Sequence, residues 1–134
     1  MAMKGKGRSA GAPGGGGRRS ACPVACTLDV VGDRWTLLVI RDLLGGKKRF
    51  GDFLASPEKI PTNILADRLK RLEREGLISS MPYSEHPPRV EYHLTAEGRE
   101  LGRAVEALAT WGLKHFPGTR RNVWPGAGRD DARA

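Results

Sequence analysis

The stretch from Phe50 to Leu94 constrains the fold of this chain more than any other part of it. Its pattern predicts a short helix over Phe50 to Ala55, a turn containing Ser56 and Pro57, and a longer helix from Pro61 to Gly76. Two strands follow, over Leu77 to Tyr83 and Val90 to Leu94, separated by a loop over residues 84–89. This order of elements is typical of a helix-turn-helix motif followed by a β-hairpin wing.

The longer helix has one apolar face and one polar face. Leu65, Leu69 and Leu72 are spaced at i, i+4 and i+7, which predicts a buried stripe. At about 100° per residue, the opposite face holds Asn63, Asp67, Lys70 and Arg74. An amphipathic helix with bases on its outer face suits a helix that lies in a DNA groove, although an ordinary solvated surface has the same pattern.

We assign the candidate DNA contacts by side-chain chemistry. An asparagine pairs with adenine, a threonine serves several bases, and an isoleucine touches a thymine methyl group. Lysine and arginine further along the helix supply phosphate contacts, which give affinity without reading sequence. Asp67 either accepts a hydrogen bond from cytosine or forms an ion pair with a neighbouring basic side chain, Lys70 or Arg71. The candidates on the helix are Thr62, Asn63 and Ile64 for bases, and Lys70, Arg71 and Arg74 for phosphates.

Further bases flank the motif. Lys47, Lys48 and Arg49 directly precede its first helix, which in such motifs crosses the DNA backbone. Arg89 ends the predicted wing loop and is placed to reach a minor groove or a phosphate. We therefore add Lys48, Arg49 and Arg89 to the candidate DNA contacts, with ordinary surface charge as the alternative.

The remaining elements are helical, so the predicted fold class is mainly α with a small β-hairpin wing (α+β). Pro23 suits the first position of a helix that runs to Val31, with Cys22 at its N-cap. A helix over Arg34 to Leu44 is apolar almost all round, which predicts burial. A last helix runs from Thr95 to about His115 and has more apolar residues than one small domain needs, which predicts a dimer contact.

Charge divides the chain into three parts. Residues 1–19 are Gly-rich, with five bases and no acid, and are typical of a disordered tail that serves as a phosphate-binding arm or a solubilising segment. Residues 20–116 hold 14 bases and 13 acids and form the predicted domain. Residues 117–134 predict a flexible C-terminal tail. The net charge of +8 therefore comes mainly from the tails and favours any polyanion.

Other classes of protein find little support in the sequence. No apolar run approaches the ~20 residues of a membrane span, and the N-terminus lacks the apolar stretch of a signal peptide, so we expect a cytoplasmic protein with reduced cysteines and no membrane contact. His86, His93 and His115 are scattered, so we expect no metal site and no cofactor. The sequence shows no nucleophile–base pattern, phosphate loop or carboxylate pair, so we expect no enzyme.

Several motifs together resemble one family. These segments, in order, are Cys22-Pro23-Val24, Arg34-Trp35-Thr36-Leu37-Leu38, Arg49-Phe50-Gly51-Asp52-Phe53, Leu65-Ala66-Asp67-Arg68-Leu69, Leu72-Glu73-Arg74-Glu75-Gly76-Leu77-Ile78 and Pro87-Pro88-Arg89-Val90-Glu91-Tyr92. Through them the chain resembles the HxlR-type transcriptional regulators from Cys22 to about Leu113.

The resemblance implies a bacterial or archaeal winged helix-turn-helix regulator. Such proteins are homodimers, held through N- and C-terminal helices, that bind pseudo-palindromic operators in double-stranded DNA as repressors or activators of detoxification and stress genes. Some sense electrophiles or oxidants through a cysteine at the position of Cys22. Cys26 and the segment Ser56-Pro57-Glu58-Lys59 depart from the family pattern.

Two questions stay open at the level of sequence. Cys22 is either a thiol made reactive by the helix dipole or a small apolar residue at the dimer edge, and any effector is unidentified. The alternative function is a winged-helix protein-interaction module that does not read DNA sequence. Such a module would bind DNA only through its tails.

Overall fold

The computed structural model of the protein describes residues 20–121. This part of the chain forms six helices and one two-stranded antiparallel sheet. The elements in order are α1 (Pro23–Val31), α2 (Thr36–Leu44), α3 (Phe50–Leu54), α4 (Thr62–Arg74), β1 (Ile78–Glu85), β2 (Pro88–Leu94), α5 (Ala96–Glu100) and α6 (Gly102–His115).

The predicted fold class is confirmed: the chain is mainly helical, with a helix-turn-helix (α3 and α4) followed by a β-hairpin wing. Cys22 is the N-cap of α1 and Gly32 ends that helix, as predicted. Helix α2 begins at Thr36 rather than Arg34. The Asp33 carboxylate accepts hydrogen bonds from the N–H groups of Trp35 (3.0 Å) and Thr36 (3.2 Å). These bonds cap a helix that begins two residues later than predicted.

The core lies where α2, α3 and α4 meet the base of the hairpin. The predicted leucine stripe of α4 is confirmed, because Leu65, Leu69 and Leu72 are 0, 2 and 1% exposed. Phe53 of α3 is the largest side chain that is almost fully buried. The other buried apolar residues are Val31, Val39, Ile40, Leu43, Ile60, Leu77, Ile78 and Leu94.

The hairpin is longer than predicted. The six-residue loop over residues 84–89 is wrong, since β1 extends to Glu85 and β2 begins at Pro88, leaving a turn at His86 and Pro87. Ser84 pairs with Arg89, so Arg89 is a strand residue near the tip of the wing. The register of the two strands shifts between Pro82 and Ser84. Beyond this irregularity the strands stay paired as far as Glu85 and Pro88.

The prediction of one continuous last helix, capped by Thr95 and running to His115, is wrong, because two helices occupy this stretch. Thr95 caps a short helix, α5, by accepting from the N–H of Gly98 (3.1 Å), and α6 begins after Leu101. Two glycines, Gly98 and Gly102, lower the helix propensity of this stretch. Gly98 lies directly against the carbonyl of Leu77, so α5 packs against the base of the hairpin. Helix α6 begins after Leu101 as a separate helix.

The predicted N-terminal tail, residues 1–19, lies outside the described residues, and so do residues 122–134 of the predicted C-terminal tail. The first part of that tail, residues 117–121, follows α6. Arg121 donates to the Thr110 hydroxyl (3.3 Å) and pairs with Glu106. Within the described range of 20–121, no helix is long and apolar enough to cross a membrane.

Candidate nucleic-acid interface

The outer face of α4 (Asn63, Asp67, Lys70 and Arg74) is solvent-exposed along its whole length, as the helical periodicity predicts. Thr62 and Asn63 are the first two residues of the helix and are both exposed. Ile64 is half-buried and packs against the core, so only part of its side chain faces outward. In helix-turn-helix proteins, the N-terminal residues of the second helix are the ones that contact base edges.

Arg71 is held inside the fold rather than on the outer face. Its Nη2 donates to the backbone carbonyl of Asp29 at 2.8 Å, and its Nη1 lies 3.9 Å from Asp33 Oδ1. The sequence did not reveal these partners, and the phosphate contact of Arg71, whose side chain is 25% exposed, remains a prediction. The periodicity gives the angle of a residue around the helix, whereas a long arginine side chain can bend back to a neighbouring element.

A chain of ion pairs joins α4 to the start of α2. Arg68 donates through Nε to Asp33 Oδ2 at 2.8 Å, and through Nη1 to Asp67, which is the partner that Asp67 takes instead of Lys70 or Arg71. Burial, the largest single influence, would raise the pKa of Asp33. The hydrogen bonds from Thr36, Arg68 and the Trp35 N–H, with the charge of Arg68, outweigh it and lower that pKa to about 2.

The basic turn before α3 is joined to the wing. The Lys48 carbonyl accepts a hydrogen bond from the Tyr92 N–H at 2.8 Å, while the Lys48 side chain is exposed. Arg49 pairs with Glu91 (Nη2 to Oε2, 3.0 Å), and its guanidinium lies 3.9 Å from the ring centre of Tyr83. Its hydrogen bond to Glu91 is the main cause that lowers the pKa of that carboxyl group. Arg49 is therefore engaged with the wing while 49% of its side chain stays exposed, and its contact with a phosphate remains a prediction.

The prediction that α2 is buried is confirmed for Val39, Ile40 and Leu43, but the helix also buries two charged residues that the apolar pattern did not reveal. Arg41 is 6% exposed and Asp42 is 3% exposed. Arg41 Nη2 donates to Asp42 Oδ1 at 2.8 Å, and its Nη1 and Nη2 donate to the two carboxylate oxygens of Glu58 at 2.9 and 2.8 Å. The signals in the sequence were the Arg-Asp pair in an apolar helix and the unusual segment Ser56 to Lys59.

A serine and a lysine extend this cluster. The Ser56 hydroxyl donates to Asp42 Oδ2 at 2.6 Å and accepts from Lys47 Nζ at 2.6 Å. Burial, the largest influence, would lower the pKa of Arg41, but the hydrogen bonds and charges of Glu58 and Asp42 raise it. We call these five residues, Arg41, Asp42, Lys47, Ser56 and Glu58, the Arg41 network. It ties α2 to the turn that leads into α4.

The two cysteines differ in environment. Cys22 is exposed, and its N–H donates to Ser20 Oγ at 3.0 Å. Cys26 is half-buried, and its Sγ donates to the Ser20 carbonyl at 3.3 Å. Cys26 also lines an open groove of about 370 Å³ between α1 and α5. Among residues 20–121, no three His, Cys, Asp or Glu side chains are grouped to hold a metal ion.

Helices α1 and α6 leave large apolar side chains in solvent. Val24 and Leu28 of α1 are 65 and 55% exposed. Leu108 and Trp111 of α6 are each 58% exposed, and Phe116, which stacks edge-on against Trp111, is 56% exposed. Exposed apolar surface of this extent marks an interaction surface.

A helix-turn-helix, a paired wing and a polar outer face on the second helix define a winged helix-turn-helix protein. The chain belongs to the HxlR-like helix-turn-helix family, whose model matches residues 30–119. The relatives below are named HTH-type transcriptional regulators.

Two relatives show the extent of the likeness. The HTH-type transcriptional regulator YdeP of Bacillus subtilis (strain 168) is 40% identical over 94 residues, which cover 70% of this chain and 73% of that protein. The HTH-type transcriptional regulator Mb3122 of Mycobacterium bovis is 44% identical over 94 residues, covering 70% of this chain. The match spans only 59% of the mycobacterial protein.

Solved structures support the same fold. The transcription factor PA1607 superposes with a TM-score of 0.68 at 39% identity, covering 77% of this chain and 72% of PA1607. The redox regulator HypR in its oxidised form superposes with a TM-score of 0.65 at 37% identity, covering 70% of this chain and 97% of HypR.

Proposed function

We propose that this protein is a sequence-specific, double-stranded DNA-binding transcriptional regulator that acts as a homodimer on a pseudo-palindromic operator. The observation that supports it best is the outer face of α4, which is exposed at all four of its positions and carries one amide, one acidic and two basic side chains. In this proposal each recognition helix enters a major groove, with half-sites about 10 bp or a multiple apart.

Within that proposal the contacts divide by position on the helix. Thr62 and Asn63 read base edges, and the outward part of Ile64 touches a thymine methyl group. Lys70 and Arg74, both exposed and further along α4, contact phosphates, as do Lys48 and Arg89 in the basic turn and the wing. All four of these contacts supply affinity without reading sequence.

Two of the sequence-predicted contacts take a supporting role in this scheme. Arg71 holds α4 against α1 through the Asp29 carbonyl, and Arg49 holds the wing against α3 through Glu91. In both residues these partners occupy part of the guanidinium's five donors and hold the side chain in place. We therefore assign them to positioning the helix and the wing.

The apolar faces of α1 and α6 support the homodimer. Their exposed side chains include Trp111, and tryptophan is among the residues that most often dominate binding energy at interfaces. The groove between α1 and α5 provides a concave surface next to them, with a largely apolar floor and Glu97 and Glu100 in its lining. Burial of these faces against a second copy is the arrangement that we propose.

Cys22 is the proposed redox or electrophile sensor. It is a free thiol, exposed at the N-terminal end of α1, where oxidants and electrophiles can reach it. One structural relative, HypR, is named a redox regulator, which supports a similar role here. A change at Cys22 lies on the same helix as the proposed dimer surface, and so would reach the DNA by changing the separation of the two recognition helices.

Paired substitutions test the reading of the outer face. We expect Asn63→Ala to weaken binding to the operator about 5- to 100-fold with little effect on scrambled DNA, because it removes one base contact. We expect Arg74→Ala to weaken binding to both DNAs equally. The slope of log affinity against log salt concentration should become less steep by about one, because one phosphate contact is lost. Fluorescence anisotropy titrations at several salt concentrations give both quantities.

Equal losses for the two variants on the two DNAs would contradict the assignment of roles. Binding to DNA that is lost when residues 1–19 are deleted, with no preference between sequences, would support the protein-interaction module instead. That alternative needs no base-reading residue on α4.

A further inference from the structure

The Arg41 network lies directly beneath the turn that precedes the recognition helix. Glu58 is followed by Lys59, the buried Ile60 and Pro61, and α4 begins at Thr62. The backbone of Lys59 has φ of 61°, a left-handed conformation that non-glycine residues rarely adopt. The direction in which the chain enters α4 is therefore set within four residues of the Glu58 carboxylate.

The network has the chemistry of a rigid support. Arg41 presents a planar fork to both oxygens of Glu58 and, through Nε and Nη2, to one oxygen of Asp42. The second oxygen of Asp42 accepts from Ser56, so the turn is fixed at two points, Ser56 and Glu58. Every buried side-chain nitrogen and oxygen in the described part of the chain has a hydrogen-bond partner.

Stability alone is a weak reason to bury Arg41 and Asp42, which lie at the centre of the network, while Glu58 keeps 35% of its side chain exposed. Removing two charges from water costs free energy that their attraction only partly recovers, and well-packed apolar residues often serve stability equally well. A directional cluster differs from apolar packing in that it defines one geometry. Base reading depends on such definition, because a displacement of about 1 Å breaks a bidentate hydrogen bond.

We propose that the Arg41 network is the positioning element that sets where the recognition helix begins, and that Arg41 and Glu58 thereby determine sequence discrimination without touching DNA. The inference rests on the proposed DNA-binding function. Glu58 would act through Thr62 and Asn63, the first residues of α4, while the phosphate contacts at Lys70 and Arg74, about two to three turns further on, depend on it little.

The test uses Glu58→Gln in the full-length protein. The glutamine has the same shape but lacks the charge, and its NH2 group, which replaces one carboxylate oxygen, cannot accept the second hydrogen bond from the Arg41 fork. Asp42 still compensates Arg41, so the fold is retained. With the operator fragment that the wild-type protein selects from genomic DNA, we expect the ratio of operator to scrambled affinity to fall about 10-fold, which is the loss of roughly one base contact.

A matched control separates geometry from charge. Glu85→Gln removes the same charge from the exposed wing, where the structure gives its side chain no role in the network. It should change affinity for both DNAs equally and leave their ratio unchanged. Glu58→Asp keeps the charge but shortens the side chain, and should lower the ratio less than Glu58→Gln; it also serves as the test variant if Glu58→Gln is unfolded at the assay temperature.

The outcomes distinguish the two proposals. If the wild-type protein prefers its operator and Glu58→Gln keeps the full ratio, the positioning role is refuted while the proposed function stands. If the wild-type protein shows no preference for any sequence, the proposed function itself fails. An equal loss of affinity on both DNAs in Glu58→Gln, with the ratio intact, would show a purely structural role and would also overturn the inference.

Discussion

The ion pair between Asp33 and Arg68 leads to a quantitative prediction about stability. Asp33→Asn keeps an oxygen that can accept from the N–H groups at the start of α2, and asparagine is as good a cap as aspartate. The substitution removes the negative charge that faces Arg68 Nε at 2.8 Å. The substitution therefore removes the ion pair with Arg68 and the acceptor of the Thr36 hydroxyl, while it keeps the capping of the backbone N–H groups.

The magnitude follows from the pKa of Asp33, which folding lowers from 3.8 to about 2. At about 1.36 kcal/mol per pH unit, this difference corresponds to about 2.4 kcal/mol as an upper bound. The side chain of Asp33 keeps 24% of its surface exposed, and solvent screens such a pair. We therefore expect Asp33→Asn to lower the free energy of unfolding by about 1–2 kcal/mol at neutral pH.

The dependence on pH has a definite sign. Because the folded-state pKa is lowered, the contribution of Asp33 is fully present above the unfolded-state pKa and is lost as the pH falls through about 2. Urea unfolding of both proteins, at one fixed protein concentration and between about pH 7 and pH 2.5, measures the difference. A difference that stays constant over this range, or is absent at pH 7, would refute the reasoning.

Three further predictions concern packing, assembly and sensing. Gly98→Ala places a Cβ 2.1 Å from the Leu77 carbonyl oxygen and should cost about 3 kcal/mol in thermal or urea unfolding, whereas Gly102→Ala has room and should change stability by less than about 1 kcal/mol; equal effects would contradict the packing described. Trp111→Glu should weaken self-association at least about 30-fold in sedimentation equilibrium, and an unchanged monomer–dimer equilibrium would remove α6 from the interface. Cys22→Ser should leave operator binding intact and abolish any response to diamide or aldehydes, and a wild-type protein that shows no response would leave Cys22 a structural residue.

The features that depend on a single element were predictable from the sequence. The leucine stripe of α4, its exposed outer face and the cap of α1 follow from periodicity and from local backbone chemistry. The hairpin was predicted in kind but not in length, because polar and proline residues near its tip weaken the alternating pattern. The break at Leu101 depends on the close approach of Gly98 to the Leu77 carbonyl, which only the folded structure brings together.

The features that depend on the choice of ion partner were not predictable. Arg41 finds Glu58 seventeen residues away, and Arg49 finds Glu91 forty-two residues away. Helical periodicity assigns a charged residue to a face, but it does not say which carboxylate a long side chain reaches. This is why Arg49 and Arg71 looked like free bases in the sequence and are engaged within the fold.

In the function that we propose, this chain reads DNA sequence through the outer face of α4. The most direct measurement is selection of genomic DNA fragments by the purified protein at about 0.15 M salt, where non-specific phosphate binding is weakened, followed by sequencing. We predict recovery of a two-fold symmetric motif with half-sites about 10 bp or a multiple apart, and loss of that motif with Asn63→Ala. Recovery of random fragments, or of the same motif with Asn63→Ala, would contradict the claim.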